Sequence, residues 1–430
     1  MTGRNWEHMD EAGTAVSEAG GRGARWGGAG QGGSPHGVLP SMLVVAAAVL
    51  VYLNALGNGF AYDDIVIVRD NPLVHGLGDP LRIWLSPYWP GSEAMLRGLY
   101  RPLTSFVFAL QWDLGGGAPW VFHGVSVLLH ACVALLLYRL LNAVVGWRGA
   151  TAGAVLFAVH PVHVEAVANV VGQGELLSAV MVLGAAVIHA ERPRTGVAPS
   201  RQVLVAVLFL GALLAKEHAI VLPVLLLSVD GAQGRWRHSG WGAETARSLI
   251  LLLAVAAVYL TLRWVVLGGT LSGEASTFLP FLQEPRTRIL MALRVWPEYA
   301  RLLLAPVQLS ATYDPGVLPP PQGVTPGVVG GAVLLLAALG AVVTPRAWPA
   351  IGWGALWFLA AVLPVSNLVL PIGSVLAERT LYLPSVALAL WTGFAVARIG
   401  ERRRHARWLR TAAAGGLVVA LAAMAVRTVV

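Results

Sequence analysis

Residues 39–64 read LPSMLVVAAAVLVYLNALGNGFAYDD, an uncharged run that is followed at once by two adjacent aspartates. The apolar part, about 39–56, is long enough to cross the ~30 Å hydrocarbon layer of a membrane as a helix. It is longer than the apolar region of a cleaved signal peptide, and it starts too far from the N-terminus. This stretch therefore predicts a first membrane span with two carboxylates just beyond its end.

The composition of the whole chain agrees with a membrane protein. Charged residues make up 12% of the 430 residues and hydrophobic residues 56%, whereas an ordinary soluble domain carries about 25% charged residues. A soluble core of this size would need a charged surface that the chain cannot supply. A soluble globular domain, a disordered chain and a disulfide scaffold are thereby excluded, the last also because Cys132 is the only cysteine. The prediction is an all-α polytopic membrane protein.

Ten further apolar runs bring the predicted number of transmembrane helices to about eleven. The predicted spans are 39–56, 120–138, 150–163, 175–190, 202–216, 218–230, 248–266, 327–344, 348–366, 380–397 and 411–429. Residues 286–306 carry too many charges for a lipid-facing span, and they are predicted to form an amphipathic helix at the membrane interface.

The charges indicate an orientation for these spans. The net charge is +8, and arginines gather in alternate loops, as the positive-inside rule requires. The N-terminus is therefore expected in the cytoplasm and the C-terminus outside, in a bacterial-type inner or plasma membrane. No soluble domain is large enough to offer the basic residues as a nucleic-acid surface.

Two regions stand apart from the spans and their short connections. Residues 1–38 are Gly-rich and predict a disordered cytoplasmic tail, which leaves 39–430 as the transmembrane domain. Two long outer loops are expected at about 57–119 and 267–326, since connectors between helices are normally short. The first loop contains apolar pieces of its own, and one of them is expected to be a juxtamembrane helix that begins at Pro102.

Asp63 and Asp64 are the first candidates for catalysis. Adjacent carboxylates at a membrane boundary repel each other and lose hydration, so the pKa of at least one should be raised. Such a pair can serve as a general base, or can hold an acceptor hydroxyl or a divalent cation. The alternative is that two hydrated aspartates simply end a span.

Further candidates come from polar residues at the ends of later spans. His160 and His163 share a helical face while Glu165 points elsewhere, and a zinc site would need a third ligand that the sequence does not supply. Glu175 follows two glycines at the start of a span, which indicates either close backbone approach or a simple helix start. Lys216, the only lysine, could contact a phosphate or pair locally with Glu217.

Glu378 and Arg379 precede another predicted span on the outer side. An arginine in this position opposes the positive-inside trend, and charged groups placed there are usually functional or paired. The alternative is a local ion pair between these two neighbours.

Six motifs follow one another along the chain. They are Asn58-Gly59-Phe60-x-Tyr62-Asp63-Asp64, Tyr100-Arg101-Pro102-Leu103-Thr104, His123-Gly124-Val125-x-Val127-Leu128-Leu129-His130, His160-Pro161-Val162-His163-Val164-Glu165-Ala166-Val167-Ala168, Lys216-Glu217-x-Ala219-Ile220 and Ala377-Glu378-Arg379-x-Leu381-Tyr382-Leu383-Pro384-Ser385. In this order they resemble the motifs of one enzyme family, the transmembrane O-mannosyltransferases with tetratricopeptide repeats, which have the membrane-embedded glycosyltransferase fold C. The resemblance covers about 56–397, most of the chain.

The resemblance implies transfer of a sugar, mannose above all, from a polyprenyl-phosphate carrier to a hydroxyl of a protein or glycan acceptor outside the cytoplasm. It places the catalytic base in the first outer loop, at Asp63 and Asp64. Arg101, Lys216 and Arg379 become candidates for the donor phosphate. The motif residues His160, His163, Glu165, Glu378 and Tyr382 become candidates for substrate binding, and Glu175, which lies outside the motifs, stays a candidate from its place at the start of a span. The sequence requires no cofactor and leaves room for a divalent cation.

The chain departs from the family pattern in two ways. Gln173 stands where similar proteins usually carry arginine, and no tetratricopeptide repeats are present, so a separate repeat protein is an expected partner. Two other functions stay open on the sequence: a lipid or solute transporter, and a catalytically inactive membrane scaffold. A transporter would be expected to carry polar residues near the membrane midplane, but here they gather at the outer boundary.

Overall fold

The protein was analysed as a computed structural model that describes residues 38–91, 98–193, 198–235, 243–269, 279–310, 312–343, 349–369, 371–401 and 407–429. All regular elements in these ranges are helical, which confirms the predicted all-α class. The predicted tail at 1–38 lies outside the described residues except for Val38.

Fifteen α-helices follow one another in the described ranges. They are α1 (Val38–Leu50), α2 (Pro80–Trp84), α3 (Pro102–Gly115), α4 (Pro119–Val145), α5 (Trp147–Ala158), α6 (Val164–Val167), α7 (Gln173–Ala190), α8 (Pro199–Ala215), α9 (Leu222–Ala232), α10 (Ala243–Val266), α11 (Pro285–Leu304), α12 (Pro326–Val343), α13 (Pro349–Val362), α14 (Val386–Glu401) and α15 (Arg407–Val429).

The protein is an integral membrane protein, but the predicted number of eleven spans is not confirmed. Five helical segments in the described ranges are long and apolar enough to cross a membrane, and a sixth is obtained if α5 and the segment Pro161–Val167, bent by 52°, form one span. Several other predicted spans correspond to shorter apolar helical segments of 10–17 residues: Pro199–Ala215, Ala350–Val365, Val386–Ile399 and Val418–Val429.

Small residues allow two of the helices to pack closely. A Cβ atom added to Gly149 or Gly153 of α5 would lie 2.4 Å and 2.3 Å from the carbonyl oxygens of Gly393 and Ala389 in α14. Close backbone approach at glycines is a common way to join membrane helices, because it increases van der Waals contact. This contact fixes α14, and therefore the segment before it that carries Glu378 and Arg379.

The first outer loop folds over a small core of its own. Ile67, Ile83, Tyr88, Phe108 and Phe122 are fully or nearly fully buried there, against residues at the start of α7. The predicted juxtamembrane helix is confirmed as α3, which begins at Pro102. This second core attaches the outer loop rigidly to the ends of α4 and α7.

Helix α11 corresponds to the amphipathic helix predicted at 286–306. Its apolar face is buried in the protein, through Met291, Val295, Trp296, Tyr299 and Leu302. The prediction of an amphipathic helix is confirmed, and the surface that this face covers is the protein itself. The helix packs beside α12, where a Cβ on Gly331 would collide with the carbonyl oxygen of Leu293.

Candidate active site

The two adjacent aspartates of the first outer loop have opposite environments. Tyr62, just before them, has a φ of 49°, an uncommon left-handed conformation for a tyrosine. The Asp64 side chain is directed into the protein and is only 1% exposed. The backbone N–H groups of Val171 and Val170 donate to its carboxylate at 2.8 Å and 3.2 Å, and that of Ala61 does so at 3.4 Å. Asp64 thus ties the outer loop to the start of α7.

Burial raises the pKa of Asp64 to about 6, although the three backbone N–H groups act in the opposite direction. The charge of Asp63 adds only a smaller increase. The predicted direction of the shift is therefore confirmed for Asp64. Its main cause is loss of hydration, with repulsion between the neighbours a minor contribution.

Asp63 is the accessible member of the pair. Its side chain is 37% exposed, and its carboxylate lies 3.9 Å from Nη2 of Arg379. The guanidinium of Arg379 also forms an ion pair with Glu165, through Nη1. The backbone N–H of Arg379 donates to the second carboxylate oxygen of Glu165 at 2.9 Å. Arg379 is therefore held between two acids, and the alternative of a local pair with Glu378 is wrong.

Asp63 lines a cleft of about 760 Å³. Among the residues that the structure describes, the cleft lining brings together five of the predicted site residues: Asp63, Asp64, Glu165, Glu378 and Arg379. Asp314 adds a fifth carboxylate, while Arg379 supplies the one guanidinium of that lining. The cleft is consequently acidic, with its cation next to Asp63.

Glu378 lies on the opposite side of the backbone from Arg379 and is 2% exposed. The hydroxyl of Tyr313 donates to its carboxylate at 2.6 Å, and the backbone N–H of Ser310 donates at 2.7 Å. Burial raises the pKa of Glu378. These bonds hold the segment after α11 against the segment before α14, so Glu378 shapes one wall of the cleft.

The other two candidate cations form a second charged group. Lys216 pairs with Glu175, and both side chains are 5% exposed. Arg101 donates to Glu217 through Nε at 2.9 Å and Nη2 at 2.6 Å. The alternative of a local Lys216–Glu217 pair is therefore wrong. Neither pair lines the cleft.

Gln173 occupies a closed amide pair. Gln111 donates to Gln173 at 2.8 Å, Gln173 donates back at 3.0 Å, and Gln173 also donates to the carbonyl oxygen of Phe122 at 2.9 Å. The side chain is completely buried. It joins α3, α4 and α7, and it does not face the cleft.

The glycines on either side of Gln173 differ in their surroundings. A Cβ on Gly172 would lie 2.3 Å from the carbonyl oxygen of Ala166, whereas Gly174 has only ordinary contacts. Close backbone approach is thus confirmed at Gly172, and the group that approaches it is the backbone of Ala166.

His160, His163 and Tyr382 lie together in a buried aromatic cluster away from the cleft. The ring nitrogens of the two histidines contact the carbonyl oxygen of Leu303 at 3.0 Å and the hydroxyl of Ser385 at 2.9 Å. The hydroxyl of Tyr382 lies 2.7 Å from Nδ1 of His130. Within the described ranges no three ligating side chains are grouped so as to hold a metal ion.

Some site residues are absent from the sequence prediction. Glu217, Gln111 and Tyr313 each bond a predicted residue or Gln173, and Tyr88 contacts Arg101. Glu217 stands beside Lys216 in a quoted motif and could have been included. Tyr88 lies within Pro87-Tyr88-Trp89-Pro90, an aromatic pair between prolines in an outer loop, which is a weak signal. Gln111 and Tyr313 stand in no motif or pattern of the sequence that would indicate a functional residue.

Comparison with known proteins supports the resemblance drawn from the motifs. The chain is 29% identical to Protein O-mannosyl-transferase TMTC3 of Mus musculus, over 81% of this chain and 41% of that protein. It is 34% identical to Protein O-mannosyl-transferase Tmtc2 of Drosophila melanogaster, over 63% of this chain and 30% of that protein. For Protein O-mannosyl-transferase F38B6.6 of Caenorhabditis elegans the identity is 27%, over 83% of this chain and 51% of that protein. The chain spans about half the length, or less, of these relatives. No family model matches it.

Among solved structures, the chain is similar to ArnT from Cupriavidus metallidurans bound to undecaprenyl phosphate, with 17% identity and a TM-score of 0.46 over 83% of this chain and 60% of that one. It is also similar to the apo form of the Archaeoglobus fulgidus oligosaccharyltransferase. The identity is 15% and the TM-score 0.49, over 91% of this chain and 55% of that one. The predicted likeness to the O-mannosyltransferases is thus confirmed at the level of sequence.

Proposed function

We propose that this protein is a membrane glycosyltransferase that moves a sugar, mannose by analogy with its relatives, from a polyprenyl-phosphate carrier to an acceptor hydroxyl. The observation that carries the proposal is the position of Asp63. It is a half-exposed carboxylate at the mouth of a cleft, held beside an arginine that is itself fixed by Glu165. A general base needs this combination of access to substrate and fixed geometry.

The proposed reaction follows from the roles of these groups. Asp63 accepts the proton of the acceptor hydroxyl while that oxygen forms a bond to the anomeric carbon of the sugar. The bond between that carbon and the phosphate oxygen breaks, and polyprenyl phosphate leaves with the bonding electrons. Attack from the side opposite the phosphate inverts the anomeric centre. Cationic groups stabilise the negative charge that builds on the leaving phosphate.

The charges support separate positions for the two substrates. A neutral hydroxyl can enter the acidic cleft without an electrostatic penalty, whereas a phosphate among five carboxylates is repelled. Arg101 and Lys216 lie outside that cleft, and Arg379 lies at its edge. We assign the acceptor to the cleft and the donor phosphate to the side of Arg101 and Lys216.

Asp64 has a supporting role in this proposal. Its carboxylate is occupied by backbone N–H groups and is shielded from solvent. It positions the loop that presents Asp63, and it does not itself accept the proton. The residues described do not require a divalent cation for this chemistry.

The orientation expected from the arginines places this site outside the cytoplasm. The amide of Asn54, after α1, donates to the carbonyl oxygen of Val429, at the end of α15. The last helix therefore ends beside the segment that follows α1 and leads to the aspartates, which supports an extracytoplasmic end of α15 if the site is outside. A C-terminal reporter enzyme that is active only outside the cytoplasm tests this orientation, and an inactive reporter would contradict it.

Transfer itself can be tested with the full chain in liposomes that contain polyprenyl-phosphate mannose and a panel of serine- and threonine-containing peptides. We expect mannosylated peptide and free polyprenyl phosphate in equal amounts, and no product from a nucleotide-linked mannose. Movement of intact donor across the membrane without transfer would instead support a transporter. Donor binding without turnover on any acceptor would support an inactive scaffold.

A further inference from the structure

Tyr88 is a buried residue of the first outer loop that the proposed reaction does not yet use. Its side chain is 3% exposed and belongs to the small core that the loop forms with α3 and the start of α7. The backbone N–H of Tyr88 donates to the carbonyl oxygen of Leu99 at 2.8 Å, which places the residue beside the strand-like segment leading to Arg101.

The hydroxyl of Tyr88 lacks a hydrogen-bond partner among the described residues. A buried polar group without a partner costs about 1–3 kcal/mol, so it calls for an explanation. Burial also raises the pKa of Tyr88. The hydroxyl therefore stays protonated at neutral pH and has a hydrogen to donate.

The surroundings of this hydroxyl are charged. The Cζ atom of Arg101 lies over the Tyr88 ring, 5.1 Å from its centre. Arg101 is in turn paired with Glu217, so the Tyr88 ring lies against the Arg101 and Lys216 side of the site.

Arg101 keeps part of its hydrogen-bonding capacity. Two of its nitrogens donate to Glu217, and within the described part of the chain its third nitrogen, Nη1, donates to no group. A guanidinium over the ring, together with an O–H donor that lacks a partner among the described residues, suits an anionic oxygen. A metal cation would be repelled by the guanidinium, and a sugar hydroxyl would not need it.

We propose that the hydroxyl of Tyr88 donates a hydrogen bond to a phosphate oxygen of the lipid-linked donor, next to Nη1 of Arg101. This inference rests on the proposed function and adds a binding residue to it. Tyr88 thereby holds the donor phosphate on the Arg101 and Lys216 side of the site.

The substitution Tyr88→Phe removes the hydroxyl and keeps the ring under Arg101. Tyr52 offers a matched control, since it is also fully buried and its hydroxyl also lacks a partner in the described ranges. The ring next to Tyr52 is that of His130, at 5.1 Å, and Tyr52 lies in the membrane-spanning core. Both substitutions should leave the melting temperature unchanged or slightly higher, because each removes an unsatisfied buried group.

The test measures binding of polyprenyl phosphate to the full chain in lipid nanodiscs. We expect Tyr88→Phe to weaken binding about tenfold or more, as for a lost hydrogen bond to a charged group, and Tyr52→Phe to bind as the wild type does. Binding of polyprenol, which has no phosphate, should be the same for all three proteins. Inorganic phosphate added alone shows whether the headgroup suffices, and the same dependence on Tyr88 there would support the phosphate contact.

The outcomes separate this inference from the function on which it rests. Equal affinity of the wild type and Tyr88→Phe for polyprenyl phosphate would overturn the role of Tyr88 and leave the proposed function intact. Equal weakening for polyprenol and polyprenyl phosphate would also overturn it, since the loss would not concern phosphate. A wild type that binds no polyprenyl phosphate would overturn both.

Discussion

Arg379 forms an ion pair with Glu165, which lies 214 positions earlier in the chain. Two parts of the arginine take part: the guanidinium donates to one carboxylate oxygen and the backbone N–H donates to the other. Because the second end of the guanidinium lies 3.9 Å from Asp63, the pair fixes a cation beside the proposed base. The segment before α14 and the turn around α6 are thus joined at the mouth of the cleft.

Arg379→Lys should reduce transfer more than it reduces stability. A lysine presents one compact charge and cannot contact Glu165 and Asp63 together. We expect kcat/KM for mannose transfer to fall at least about tenfold, the loss of one charge-assisted hydrogen bond. The matched control is Arg69→Lys, since Arg69 is a half-exposed arginine of the first outer loop that pairs with Asp70. Unchanged transfer by Arg379→Lys would remove Arg379 from the site.

Lys216→Met should destabilise the protein strongly. It takes the ammonium partner away from the buried carboxylate of Glu175 and leaves only His218, whose Nδ1 is 3.9 Å away. Breaking a buried pair in this way typically costs about 3–5 kcal/mol in the free energy of unfolding. The double variant Lys216→Met with Glu175→Leu should recover most of that loss, because neither charge of the pair is left. Unfolding of the purified single and double variants in mixed micelles measures their free energies of unfolding.

The exposed pair Arg139–Glu191 provides the control for this cycle, with side chains 54% and 42% exposed. Removing one of its members should cost less than about 1 kcal/mol. If the double variant at Lys216 and Glu175 is as unstable as the single one, the pair is not the cause. A stable double variant that no longer binds polyprenyl phosphate would support the role of Lys216 at the donor.

Gln173→Arg should destabilise the protein and should not strengthen donor binding. The arginine would be buried without a carboxylate, and the amide nitrogen of Gln111 would lose the oxygen of Gln173 that accepts its hydrogen bond. Gln173→Leu with Gln111→Leu removes both amides and should be less harmful than Gln173→Arg, since unpaired groups are fewer. Thermal unfolding measures both effects. Tighter polyprenyl-phosphate binding by Gln173→Arg would show that this position does face the donor.

Asp64 should make stability depend on pH between about 4 and 6. Its pKa is raised to about 6 in the folded protein, and the unfolded chain has the ordinary value of about 3.9. The folded state therefore binds this proton more tightly, so the stability from Asp64 is complete below pH 4 and is lost as the pH rises through 6. The difference in unfolding free energy between wild type and Asp64→Asn should change across that window by on the order of 3 kcal/mol. A constant difference would show that Asp64 is not perturbed.

The helices and most site residues are predictable, because apolar runs and charged residues at their ends are local properties of the chain. The first apolar run, the helix that begins at Pro102 and the position of Asp63 and Asp64 all follow from short stretches. The number of spans does not, because several apolar runs of the sequence form helices of only 10–17 residues, such as Pro199–Ala215.

The partners of the charged residues could not be predicted. Lys216 has an extended backbone, with φ −158° and ψ 131°, so its side chain and that of Glu217 point in opposite directions. They pair with Glu175 and Arg101, which come close only when α3, α7 and α8 pack together. Glu378 and Arg379 are likewise neighbours in the chain with different partners, Tyr313 for Glu378 and Glu165 for Arg379. Tertiary packing decides these pairs, and no local pattern encodes it.

The central claim is that Asp63 is the general base, and its most direct test is transfer of mannose from polyprenyl-phosphate mannose by Asp63→Asn. The control is Asp70→Asn, a change of the same kind at an aspartate of the same loop that is 55% exposed and lies outside the cleft lining. We predict that Asp63→Asn binds polyprenyl phosphate as the wild type does but loses at least about a hundredfold in kcat, while Asp70→Asn keeps wild-type turnover. Equal turnover by Asp63→Asn and the wild type would contradict the account.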